Sequence, residues 1–178
     1  GGESMRIAIR LARAFTKKET VLFCGYHGWH DWYLAANHKS EKNLNFQLLP
    51  GLKPLGVPKG LLDTVIPFRY NNKEDFEKII KKNIKKAAAI VIEPCREGYP
   101  DKKYISKLKL IAKKNNTILI FDEITSGFRL NSSGSHKLIK VNPDIVVYGK
   151  TIANGIPMGA IIGKKNIMDY ATKTFISS

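Results

Sequence analysis

Short apolar runs alternate along this chain of 178 residues with segments of helical periodicity, and no other feature restricts the fold as strongly. Strands that are apolar on both faces are typical of a largely parallel sheet with helices on both sides. We therefore expect an α/β fold. The expected strands cover residues 21–24, 64–68, 87–92, 117–121, 145–148 and 160–162. The expected helices cover residues 3–16, 73–83 and 104–115.

The segment between the first two strands is less regular. Residues 38–61 contain three prolines and three glycines, which predicts a long loop of a kind that is often functional. The hydrophobic content of 43% is enough for a buried core. Because Gly1 leads directly into a helical pattern without an initiator Met, we expect the chain to be part of a longer protein.

The net charge of +15 comes mostly from lysines, which raises the alternative of a nucleic-acid-binding domain. These lysines are scattered over predicted helix faces and are not interleaved with aromatic side chains, which favours a solvated, lysine-rich surface. Cys24 and Cys95 lack the spacing of a zinc site or a disulfide framework. No apolar run reaches the roughly 18 residues of a membrane span. We expect neither nucleic acid, nor membrane, nor metal as a partner.

Three charged side chains follow directly after predicted strands. Glu93 follows AAAIVI, Asp122 follows TILIF, and Lys150 follows DIVVYG. The carboxyl ends of parallel strands meet at one edge of the sheet, where ligands of α/β proteins bind. At such a place, desolvation disfavours the ammonium form of a lysine and frees the amine as a nucleophile. Each residue alone could be an ordinary solvated strand end, but the three together predict a catalytic site.

Four segments carry a resemblance to a known family. They are GGES followed by AIRLARAFT at the start, GYHG at residues 25–28, FDEITSGFR at 121–129 and GKTIANGIPMGA at 149–160. In this order they resemble the class III aminotransferases, which depend on pyridoxal phosphate (PLP), and most of all the branch of aminomutases that act on glutamate-1-semialdehyde. The resemblance implies a large domain of the aspartate-aminotransferase-like fold (fold type I), of which residues 1–178 would be the central part. The N-terminal segment and the C-terminal small domain would be absent.

The implied activity is amino-group transfer with PLP, by an aminotransferase (a transferase) or an aminomutase (an isomerase). By the resemblance, Lys150 would hold PLP as a Schiff base and shuttle a proton. Asp122 would keep the pyridine nitrogen protonated, so that the ring withdraws electrons. The remaining implied cofactor contacts are Gly1 and Gly2 at the phosphate, Tyr26 and Ile124 on the two ring faces, and Glu93 near the phenolic side. His27 is either a pocket residue or a packed turn histidine.

Substrate identity stays open at this point. The loop Cys95-Arg96-Glu97-Gly98-Tyr99 departs from the small residues usual in the family. Arg96 could bind a carboxylate through its planar fork, or Arg96 and Glu97 could pair at the surface. Trp29 is a further candidate beside the substrate entrance. An aminomutase and a transaminase for another substrate both fit the pattern.

The resemblance also bears on assembly and location. It implies a cytoplasmic homodimer with an active site shared between the subunits, acting on a small amino or keto substrate. This segment alone would then hold most cofactor contacts and be inactive in isolation. Two alternatives remain: a catalytically incomplete or PLP-fold protein that acts through interactions, and, from the net charge alone, a basic nucleic-acid-binding domain.

Overall fold

The computed structural model describes residues 1–47 and 49–176. In these ranges the chain forms a six-stranded sheet of order β2-β1-β3-β4-β5-β6. The strands are β1 (Thr20–Cys24), β2 (Val65–Pro67), β3 (Ala87–Ile92), β4 (Ile118–Asp122), β5 (Ile145–Tyr148) and β6 (Ala160–Gly163). Strands β1 to β5 are parallel, and β6 runs antiparallel to β5. The predicted mostly parallel sheet is confirmed.

Three long helical segments flank the sheet. The α-helices are α1 (Gly2–Thr16), α2 (Asp31–Leu34), α3 (Lys73–Asp75), α4 (Lys81–Asn83), α5 (Lys102–Lys114), α6 (Ser135–Ile139), α7 (Lys165–Met168) and α8 (Tyr170–Lys173). A π-helical turn (Phe76–Ile80) joins α3 to α4, so that residues 73–83 are continuously helical as predicted. Further 3-10 turns are Ala35–His38, Lys59–Leu61, Ile84–Lys86 and Lys150–Ile152. No helix in the described ranges is long and apolar enough to cross a membrane.

Alternation along the strands divides the core into two layers. In β1, Val21 and Phe23 pack in the same cluster as α1, whereas Leu22 packs with residues of the helical segment 73–86 and of α5. Successive side chains of a strand point to opposite faces, so apolar residues at every strand position serve both layers. All five residues of β1 and all six of β3 are buried. This explains why these runs are continuously apolar in the sequence.

The short elements were not predicted. Helices α2, α6, α7 and α8 have only four or five residues, too few to give a helical period. The expected loop at residues 38–61 consists of turns and one 3-10 turn, and its position Leu48 lies outside the described residues. Two lysines of the segment 73–86 pair with acids one turn away, Lys78 with Glu74 and Lys81 with Glu77.

Asp144 ties the sheet to the surrounding segments just before β5. Its Oδ1 accepts hydrogen bonds from Lys109 Nζ at 2.6 Å and lies 2.7 Å from Lys164 Nζ, while its Oδ2 accepts from the Leu119 amide at 2.9 Å. Burial acts to raise the pKa of Asp144, but the two ammonium groups outweigh it and hold the pKa below its ordinary value. The same burial lowers the pKa of Lys109, so the pair stabilises less than the carboxyl alone suggests.

The strand order indicates which edge of the sheet can bind a ligand. After β1 the chain crosses to β2 on one side, and from β3 onward it moves to the other side of β1. Such a reversal opens a crevice beyond the carboxyl ends of the strands. The segments that follow β1, β3, β4 and β5 all emerge at that edge.

Candidate active site

A cavity of about 210 Å³ lies at the carboxyl ends of β1, β3, β4 and β5. It is lined by Gly1, Gly2, Tyr26, His27, Gly28, Glu93, Asp122, Ile124, Thr125 and Lys150. All eight residues that the sequence predicts as cofactor contacts are in this set. Gly28 and Thr125 are additions, which the sequence analysis missed.

Asp122 and His27 form a buried pair at the floor of the cavity. His27 Nδ1 lies 2.7 Å from Asp122 Oδ2, and both side chains are almost fully buried. His27 Nε2 lies 3.1 Å from the carbonyl oxygen of Cys24, which can only accept, so Nε2 carries a proton. His27 is both a cavity residue and a packed turn histidine, which unites the two alternatives of the sequence analysis.

The other oxygen of Asp122 is also held. Asp122 Oδ1 accepts a hydrogen bond from the Ile124 amide at 3.0 Å. A carboxylate offers about four lone-pair sites. Asp122 is thus fixed in orientation by His27 and by its own turn, and it retains capacity to accept one more N–H donor from the cavity.

Lys150 follows β5 and begins a 3-10 turn. Its backbone has a φ of 46°, a left-handed conformation that is uncommon outside glycine. Its Nζ donates a hydrogen bond to Thr125 Oγ1 at 2.8 Å. Lys150 is exposed, so the expectation that it lies desolvated at the sheet edge is wrong. The turn lifts the side chain above the edge of the sheet, where water reaches it.

Glu93 is held by a polar network beside the cavity. Its Oε2 accepts from the Tyr26 amide at 2.8 Å and from Arg96 Nη1 at 2.8 Å. Arg96 also donates through Nη2 to the backbone carbonyl of Gln47, whose own side chain accepts from the Gly25 amide at 2.7 Å. Arg96 thus braces Glu93 from behind the cavity. The ion-pair partner of Arg96 is Glu93. The alternative in which Arg96 pairs with Glu97 at the surface is therefore wrong.

The turn after β1 depends on glycine at two places. Gly28 has a φ of 93°, and a Cβ there would lie 2.6 Å from the Cα of Gly2. Gly25 has a φ of 116°, and a Cβ there would lie 2.6 Å from Glu93 Oε2. These contacts bring the β1 turn against the first residues of α1 and against β3. Both glycines of GYHG are therefore required by the local backbone and by these close approaches.

Helix α1 presents its N-terminus to the same cavity. Gly1 is the N-cap and no side chain caps the helix. The first amides of an α-helix have no partner within the helix, and together with the helix dipole they favour an anion. Gly1 and Gly2 both line the cavity and carry no side chain that would block an approaching group.

Two apolar side chains border the cavity. Tyr26 is half-buried and packs against Trp29, with ring centroids 4.7 Å apart. Burial, and next the Glu93 carboxylate, raises the pKa of Tyr26, so its hydroxyl is protonated at neutral pH. Ile124 is buried and comes within contact distance of a Cβ built on Gly1 or Gly149. The residues predicted near a substrate, Trp29, Arg96 and Glu97, lie outside the cavity lining.

Glu123 sits beside this site but points away from it. It is fully buried, and its carboxylate accepts from the Ser135 amide at 2.7 Å and from the hydroxyls of Ser126 and Ser135. Its backbone carbonyl accepts from the Gly127 amide at 2.7 Å. The neighbouring carboxylates of Asp122 and Glu123 therefore have different surroundings. One carboxylate lines the cavity, and the other anchors the turn that follows β4.

The chain is similar to known proteins over nearly its whole length. The family model described as aminotransferase class-III matches residues 1–176. A glutamate-1-semialdehyde 2,1-aminomutase of Sulfurisphaera tokodaii is 38% identical over 97% of this chain and 41% of its own length. A 3-aminobutyryl-CoA aminotransferase of Cloacimonas acidaminovorans is 34% identical over the whole chain and 41% of its own. The chain thus spans about two fifths of these relatives.

Solved structures give the same result for the fold. An omega-transaminase from Sphaerobacter thermophilus superposes with a TM-score of 0.78 at 30% identity, over 94% of this chain and 40% of that one. A structure described as a transaminase with PLP bound superposes with a TM-score of 0.80 at 26% identity, over 94% of this chain and 39% of that one.

Proposed function

The chain belongs to the class III aminotransferase family, and on that premise we propose that the full-length protein catalyses amino-group transfer with pyridoxal phosphate. One observation carries the proposal. A lysine amine, a braced buried carboxylate and an uncapped helix N-terminus line the same cavity. The names of the relatives include an aminomutase and an aminotransferase, so both reactions fit.

The donor and acceptor set of the cavity fits this cofactor. The free amides at the start of α1 suit a phosphate dianion. The remaining acceptor capacity of Asp122 suits a protonated pyridine nitrogen. Tyr26 and Ile124 would cover the two faces of the ring, and Glu93 would lie near its phenolic side. When bound, the cofactor withdraws electrons from the bond that breaks next to the substrate nitrogen.

The residues of the chain would then act in defined ways. Lys150 would bind the cofactor covalently and, once released, carry a proton between the substrate carbon and the cofactor. Asp122 would hold a proton on the pyridine nitrogen through its negative charge. His27 would keep Asp122 oriented, because the Cys24 carbonyl fixes the histidine ring. The amides of Gly1 and Gly2 would position the phosphate.

We also propose a homodimer with a shared active site, a small amino or keto substrate, and a cytoplasmic location. Cys24 and Cys95 are free thiols, which suits a reducing compartment. Burial raises the pKa of the Cys24 thiol to about 12, so this cysteine is a packing residue and not a nucleophile. Trp29, Arg96 and Glu97 stay candidates for substrate contacts, although they lie outside the cavity lining.

Cofactor attachment tests the proposal directly. Purified full-length protein is incubated with PLP, reduced with borohydride and digested, and the modified peptide is identified by mass spectrometry. We expect the cofactor mass on Lys150 and its loss in Lys150→Ala. Lys165→Ala is the matched control, because the Lys165 side chain is 89% exposed and, in the part of the chain that the structure describes, pairs with Asp169 one turn away. Attachment elsewhere, or unchanged attachment in Lys150→Ala, would overturn the assignment.

A further inference from the structure

The amine of Lys150 donates a hydrogen bond to the hydroxyl of Thr125, a residue that has no part in the function proposed above. Thr125 lines the cavity and lies on the turn after β4, 25 residues before the lysine. We propose that Thr125 is a positioning residue that holds the Lys150 amine over the cavity whenever that amine carries no cofactor. The proposal rests on the proposed function, because it assigns the task to the lysine that would take the cofactor.

The turn that carries Thr125 is anchored on both sides. Before it, the Ile124 amide donates to Asp122 Oδ1 at 3.0 Å. After it, Ser126 donates to the buried Glu123 carboxylate, and the Gly127 amide donates to the Glu123 carbonyl at 2.7 Å. Threonine is branched at Cβ and has few χ1 rotamers. The Thr125 hydroxyl is therefore held at a defined place above the carboxyl end of β4.

Lys150 needs such an acceptor. It is exposed, and its amine stands at the end of a flexible four-carbon stem. Within residues 1–47 and 49–176, Thr125 is the acceptor of its hydrogen bond, and no ion pair joins Lys150 to a carboxylate. Without Thr125 the side chain would sample solvent-facing rotamers. The single contact at 2.8 Å therefore decides how often the amine faces the cavity.

A hydroxyl suits this task better than a carboxylate does. It accepts a hydrogen bond from an ammonium group and can also donate one to a neutral amine. It brings no charge, so it does not favour the ammonium form as an ion pair would. Thr125 can thus hold Lys150 in either protonation state and release it to react.

The rate of cofactor capture tests the proposal. Full-length cofactor-free protein is mixed with PLP, and the appearance of bound cofactor is followed by absorbance in wild type, Thr125→Val, Thr125→Ser and Thr151→Val. We expect Thr125→Val to capture PLP about fivefold to tenfold more slowly, as for one lost hydrogen bond. Thr125→Ser should stay within about twofold of wild type, because it keeps the hydroxyl. Thr151→Val is the control, since its buried hydroxyl has no partner among the described residues.

A second measurement separates positioning from a damaged fold. Cofactor-free protein is labelled with trace acetic anhydride, and acetylation of Lys150 is compared with that of Lys165 by mass spectrometry. In Thr125→Val the small reagent should acetylate Lys150 at least as fast as in wild type, because the amine is still exposed. A fall in both acetylation and capture would mean a structural defect and would overturn the proposal. Equal capture by Thr125→Val and wild type, or slow capture by Thr125→Ser, would also overturn it.

The two proposals fail in different ways. If wild type does not place PLP on Lys150, the proposed function fails, and acetylation still reports whether Thr125 restrains the amine. If wild type places PLP on Lys150 and Thr125→Val does so at the same rate, only the role of Thr125 is refuted.

Discussion

Replacing His27 by Phe should destabilise the protein mainly because it leaves the buried Asp122 carboxylate without its hydrogen-bond partner. His27 is 1% exposed and its ring bonds both Asp122 Oδ2 and the Cys24 carbonyl. Phenylalanine places another aromatic ring there but makes neither of these hydrogen bonds. Losing the partner of a buried charged group costs about 2–3 kcal/mol, and the unpaired carbonyl adds about 1 kcal/mol. We therefore expect His27→Phe to lower the free energy of unfolding by about 3–4 kcal/mol.

A double-mutant cycle isolates the pair. Asp122→Asn removes the charge of the carboxylate. In that background, replacing His27 leaves a neutral amide without its partner, which costs less than leaving a carboxylate unpaired. The double variant should then be more stable than the sum of the single effects by about 2 kcal/mol. The assay is urea unfolding of cofactor-free full-length protein, monitored by circular dichroism. The dependence of the free energy of unfolding on urea concentration (the m-value) must be equal across the variants.

The control is His38→Phe. His38 is partly buried, and among the described residues its ring bonds the Pro58 carbonyl at 3.1 Å and no charged group, so its loss should cost no more than about 1 kcal/mol. A coupling energy between the residues of the cycle below about 0.5 kcal/mol would refute the view that His27 braces Asp122.

Two further predictions concern the scaffold. Gly28→Ala should destabilise the protein by about 2–3 kcal/mol in the same urea assay, because it combines a φ of 93° with a contact of 2.6 Å to Gly2. Gly60→Ala, in open space, should change stability by less than about 0.5 kcal/mol, and equal effects would contradict the argument. Asp144→Asn should lower stability by about 1–3 kcal/mol at pH 7. Because the pKa of Asp144 is depressed in the folded protein, its contribution is present above the unfolded pKa of about 3.9 and is lost as the pH falls through the folded value. The difference between Asp144→Asn and wild type should therefore narrow below about pH 4, and a difference independent of pH would contradict it.

Local patterns were sufficient for the strands, for the long helices and for the edge of the sheet that carries the candidate site. Each predicted strand occurs within about one or two residues of its expected place. The central strands β1, β3, β4 and β5 are easiest to find, because a strand buried on both faces is nearly continuously apolar. Glu93, Asp122 and Lys150 could be assigned to one sheet edge, because parallel strands deliver their carboxyl ends together. Helices of four residues, such as α7, carry no period and could not be foreseen.

The contacts that give these side chains their roles lie far apart along the chain. His27 and Asp122 are 95 residues apart, and Arg96 reaches a carbonyl 49 residues away. Such pairs depend on strand order, register and the course of each turn, which periodicity in one segment does not encode. The resemblance between short motifs could therefore single out Lys150 as the candidate for cofactor attachment. Only the folded chain decided that this lysine is exposed, and that it rests on Thr125, because both facts follow from how the turns after β4 and β5 meet in space.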